Sequence, residues 1–77
     1  MSTRKLKLDA RGFRCPKPLM MMQHAIRERP QGAVLEVLSD DPVFESNVRA
    51  WCKQLGHTIL SLEKEGEVWS LKLRKGS

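Results

Sequence analysis

Tyrosine is absent from this chain, and two Phe and two Trp are its only aromatic side chains. A surface on which successive nucleic-acid bases stack is therefore poorly supplied. Cysteine is nearly as scarce. Cys15 and Cys52 stand far apart, no Cys-x-x-Cys pair exists, and the two histidines, His24 and His57, are isolated. That supplies neither a zinc site nor a disulfide scaffold. No apolar run approaches the ~20 residues that span a bilayer. The basic start, Met1-Ser2-Thr3-Arg4-Lys5-Leu6-Lys7, lacks the apolar stretch of a secretory signal, so a cytoplasmic protein without a membrane segment is expected. Repeats, low-complexity tracts and linkers are missing. So are an acid/base pair, a Ser-His-Asp set and a Gly-rich phosphate loop.

The 77 residues have room for one domain with one core, spanning 1–77, and none for a deep substrate cavity beside it. Lys and Arg number 14 against 9 Asp and Glu. The imbalance sits at one end: residues 1–31 hold eight basic and two acidic side chains, residues 32–77 six and seven. A basic half attracts anions and is compatible with RNA or with an acidic protein partner.

Hydrophobic periods place six elements. Leu6 and Leu8 alternate with Lys5, Lys7 and Asp9, predicting a half-buried strand at residues 4–9. A Gly- and Pro-punctuated loop comes next. A helix is expected at 17–29, with Pro16 and Pro18 tolerated in its first turn and Leu19, Met22, Ala25 and Ile26 on one face. Arg27 and Arg29 suit its last turn, and Pro30-Gln31-Gly32 ends it. Val34–Ser39 is a second strand. Asp40-Asp41-Pro42 reads as the start of a second helix, Asp as N-cap and Pro at its first position. Phe44, Val48, Trp51, Cys52 and Leu55 form that helix's apolar stripe, and Gly56 stops it. Thr58, Leu60 and Leu62 alternate with His57, Ile59 and Ser61 in a third strand. Across the Glu65-Gly66 turn, Trp69, Leu71 and Leu73 form a fourth, paired to the third as a hairpin. The order β-α-β-α-β-β packs most simply as an α/β two-layer sandwich, two helices on one face of a four-stranded mixed sheet.

Cys15 is the candidate for chemistry; a free cysteine is often a buried structural thiol, but this one lies in a Gly- and Pro-rich basic loop, off the Leu19–Met22–Ile26 stripe. It precedes a helix start and lies between Arg14 and Lys17. Both cations and the positive end of the helix favour a thiolate, or the terminal sulfur anion of a persulfide, over the neutral thiol. Gly12 permits a tight approach, and Pro16 and Pro18 stiffen it. Cys52, on the apolar stripe, reads as a core residue. Met22 faces the core, whereas Met20 points outward one turn from Cys15 and offers a soft contact to a partner. Arg11, Gln23 and Asp41 join Met20 as candidate docking residues. A reactive thiol with no base, on a domain with no cavity, suits a carrier that one protein loads and another unloads.

The run Asp9-Ala10-Arg11-Gly12-Phe13-Arg14-Cys15-Pro16-Lys17-Pro18 resembles the signature of the TusA/SirA family of small sulfur-carrier proteins. So do Asp40-Asp41-Pro42 and Arg74-Lys75-Gly76. The resemblance covers essentially the whole chain. It implies that Cys15 takes a persulfide sulfur from a cysteine desulfurase and hands it to a downstream relay protein. In the TusA-like branch that route leads to 2-thiouridine in tRNA; other family routes lead to molybdenum cofactor and sulfur oxidation. The only prosthetic group implied is the covalent persulfide itself, with no metal and no direct nucleic-acid contact. Two other readings compete: an RNA-binding module using the basic half, and a thiol redox switch, which needs a partner thiol for Cys15.

Overall fold

The computed structural model describes residues 5–76. Arg4, expected to open the first strand, lies outside them. Six elements occur in the anticipated order: β1 (Lys5–Asp9), α1 (Lys17–Arg27), β2 (Val34–Ser39), α2 (Phe44–Leu55), β3 (Thr58–Glu65) and β4 (Val68–Arg74). The helix α1 is a crossover, so β1 and β2 run parallel. The tight turn after β3 returns β4 antiparallel, and β4 inserts beside β2 to give the order β1-β2-β4-β3.

The period-two and period-3.6 patterns meet in one core. Met22 and Ile26 from α1 and Phe44, Val48 and Cys52 from α2 pack on Leu35, Val37, Leu71 and Leu73 of the sheet. Each of the larger side chains removed from water contributes roughly 1.5–3 kcal/mol, which a chain this small needs. Pairing puts Lys7, Glu36 and Lys72 in one row across β1, β2 and β4. Such an alternating charged row belongs on the uncovered face. The result is the two-layer sandwich, both helices on one side.

Four local expectations change. First, α1 ends at Arg27 rather than at residue 29, because Arg29 precedes Pro30 and is biased away from helix. Lys75 instead serves that helix end, its Nζ donating to the carbonyl oxygens of Arg27 (3.3 Å) and Arg29 (2.6 Å). Second, α2 begins at Phe44 with Val43 as its uncapped N-cap residue. Asp41 forms a turn before it, its carbonyl accepting from Phe44 N (3.0 Å) and its Oδ1 from Val43 N (3.2 Å). Third, β3 carries a bulge. Ile59 pairs with Leu73 and Leu62 with Leu71, leaving Leu60 as the extra residue. Ile59 and Leu62 thus both pack on the core while Leu60 is exposed. Fourth, Leu55, the last residue of the α2 stripe, is exposed. Gly56 does end α2 in the left-handed conformation, φ 80°.

Candidate functional site

Parallel pairing brings the loop after β1 alongside the loop after β2, and this juxtaposition builds the site. The first loop is anchored where the buried Ala10 donates its N–H to Leu38 O (2.8 Å). Asp9 turns it: its carboxylate accepts from Arg11 N (3.1 Å), Nε (2.9 Å) and Nη2 (2.8 Å). Those bonds hold the Asp9 carboxyl down at about 2. Gly12 takes φ 90°, a conformation costly for a residue with a Cβ. Its N–H donates to Asp40 Oδ1 (2.9 Å), which also accepts from Arg14 Nη1 (3.0 Å). The Gly12 N–H, and after it Arg14, keep the Asp40 carboxyl below the ordinary carboxylate value.

One residue further on, Asp41 Oδ2 accepts the backbone N–H of Cys15 at 2.7 Å. Asp41 is only 3 % exposed, and its own N–H donates to the hydroxyl of the fully buried Ser39 (3.2 Å). Adjacent aspartates of the β2–α2 connection therefore grip the cysteine loop at two points. Cys15 itself is a free, exposed thiol, whereas Cys52 is a free thiol in the core. The Cys15–Pro16 peptide is cis.

Several of the expected site residues make bonds other than those anticipated. Pro16 is the N-cap residue of α1 and Pro18 lies in its first turn, as expected. Met20 and Gln23 are exposed on α1, and Arg11 is exposed beside Asp9. Asp41 is a correction: a buried carboxylate with both oxygens engaged has no surface to offer a partner. The cations beside the cysteine also have other partners, Arg14 being paired with Asp40 and Lys17 Nζ lying 5.7 Å from the Phe13 ring centre. The helix start offers fewer N–H groups than expected. Two are removed by Pro16 and Pro18, that of Lys17 donates to Arg14 O (2.9 Å), and that of Cys15 goes to Asp41. The clamp by Asp40, Asp41 and Ser39 was missed. The signal for it was topological: a β-α-β crossover sets the ends of its two strands side by side.

The surface around Cys15 carries exposed Phe13, Val43 and Met20. An open groove of about 470 Å³ runs from Leu8 and Lys17 past Met20, Met21 and Ala25 to His24. Among the described residues, no three His, Cys, Asp or Glu side chains are placed to hold a metal ion. No helix among them is long and apolar enough to cross a membrane.

An exposed cysteine on a braced loop, at one end of a two-helix, four-stranded sandwich, defines a small thiol-bearing domain. Residues 6–75 match the family described as Sulfurtransferase TusA, and the chain belongs to that family. It is 39% identical over 70 residues to a protein of Aquifex aeolicus (strain VF5) designated a candidate sulfur carrier. That match covers 91% of this chain but 36% of the relative, so the chain spans about a third of the relative's length. A crystal structure of a SirA-like protein from Desulfitobacterium hafniense superposes with a TM-score of 0.78 at 26% identity, covering 94% of this chain and 99% of that one.

Proposed function

We propose that the protein is a sulfur carrier that holds a sulfane sulfur on Cys15. One observation carries the reading: in a TusA-family chain, the exposed thiol is the one at the braced loop, and the other thiol is buried. In loading, the Cys15 thiolate attacks the outer sulfur of a donor persulfide on a cysteine desulfurase. The donor S–S bond breaks, the donor cysteine leaves as thiolate, and a new S–S bond forms on Cys15. In delivery, an acceptor nucleophile takes that outer sulfur and Cys15 leaves as thiolate. Neither exchange changes the total oxidation state, so no separate oxidant or reductant is needed.

The acceptor in this proposal is a protein of a sulfur relay leading to tRNA 2-thiouridine, in the cytoplasm, with no direct contact between this chain and RNA. Phe13, Met20 and Gln23, with the groove beside Lys17, supply the docking surface. Mixing the protein with a cysteine desulfurase and cysteine should add one sulfur, about +32 Da, to Cys15. Cys15→Ser should abolish the adduct and Cys52→Ser should retain it. An adduct that survives Cys15→Ser overturns the assignment. Salt-sensitive RNA binding indifferent to Cys15→Ser, with no sulfur uptake, would favour the basic half as an RNA-binding surface instead.

A further inference from the structure

The bond from Cys15 N–H to Asp41 does more than brace the loop. Asp41 is the most buried carboxylate among the described residues, yet it faces the residue whose sulfur is exposed. Its two oxygens are divided: Oδ1 holds Val43 N at 3.2 Å in the turn before α2, and Oδ2 holds Cys15 N at 2.7 Å. Ser39 Oγ accepts the Asp41 N–H from the end of β2, so the Asp41 backbone is fixed by a sheet residue that is fully buried. A bond of 2.7 Å to an ionised acceptor is at the strong end of N–H···O geometry.

We propose that Asp41 is a positioning residue for Cys15, setting where the sulfur stands. The inference rests on the sulfur-carrier reading for its purpose, but its physics does not need it. Asp41 ties the cysteine backbone to the rigid end of β2, so the sulfur is presented in one place rather than swept through a loop's range.

Asp41→Asn tests this. The amide has one acceptor oxygen, so either Cys15 or Val43 loses its partner. Loading from a desulfurase should slow by about tenfold, because the sulfur is less well placed. Iodoacetamide, a small reagent that needs only an exposed thiol, should alkylate Cys15 at the wild-type rate. A loss of fold would move both rates. Hydrogen exchange gives an independent readout: the Cys15 amide should be protected in the wild type and exchange about tenfold faster in Asp41→Asn. An unchanged loading rate for Asp41→Asn, or a Cys15 amide that exchanges equally fast in both proteins, overturns the proposal. If wild-type protein takes up no sulfur while Asp41→Asn still loses the amide protection, the carrier reading fails and the positioning role stands.

Discussion

Alkylation under native conditions should find one cysteine and miss the other by about a hundredfold. Cys52 is 2 % exposed, enclosed by the core that Phe44, Val48, Leu71 and Leu73 share, and burial pushes its thiol up to about 11 from an ordinary 9.0. The closed state is therefore both unreachable and poorly ionised. Access sets the rate. Reagent reaches Cys52 only when α2 lifts from the sheet, which also returns the thiol to water, and an opening of about 3 kcal/mol costs a factor of about 100. Timed iodoacetamide labelling, quenched and read by peptide mass spectrometry, separates the two sites. Adding denaturant should collapse the ratio toward one, which shows that the protection comes from the fold. Labelling of Cys52 within about tenfold of Cys15 in the native protein would refute the burial argument. It would also return the redox-switch reading, because the second thiol would then be available as a partner.

Two further outcomes concern the opposite end of the molecule. A Cβ on Gly76 would strike the Gly56 carbonyl oxygen and stand 2.8 Å from its carbon, both rigid backbone. Gly76→Ala should therefore displace the segment and forfeit the bonds from Gly76 N to His57 Nδ1 (3.1 Å) and from Gln31 Nε2 to Gly76 O (2.9 Å). The expected loss is about 1–2 kcal/mol, or about 6–12 °C in thermal midpoint by circular dichroism, and an unchanged midpoint would contradict the contact. His57 should behave as a pH-dependent fastener. Burial, and then the nearby Lys75, lower its pKa below the ordinary 6.5, so the folded protein binds the proton more weakly than the unfolded chain. Its contribution is complete above pH 6.5 and is lost as pH falls through the folded value, when Nδ1 no longer accepts from Gly76. Denaturation between about pH 7 and 5 should show a decline in the wild type that His57→Gln lacks.

Reading the chain residue by residue captured the elements because their signals are local. Alternation in β1, the stripe of Phe44, Val48 and Cys52, the left-handed stop at Gly56 and the two prolines opening α1 each depend on neighbours within a turn or two of chain. The exposure of Cys15 and the burial of Cys52 were legible for the same reason: one lies off an apolar face and the other on it. Where alternation was trusted too far, at Leu60, one extra residue in β3 reversed the face of the residues after it. Local pattern does not record such a slip when the partner strand absorbs it.

The bonding of the cysteine was not legible in this way. Asp40 and Asp41 look like helix-capping residues when judged only against the residues after them. They act on residues 26 and more positions earlier because a parallel β1–β2 pair sets two loops together, and a carboxylate bonds to the donors that folding brings within reach. The same holds for Lys75, which closes the C-terminal end of α1 from the far end of the chain. Composition and period were enough to specify which segments are helix or strand, which faces are apolar and which thiol is outside. The charges and hydrogen-bond donors that surround that thiol depend on distances through space, and those exist only once the sheet has closed.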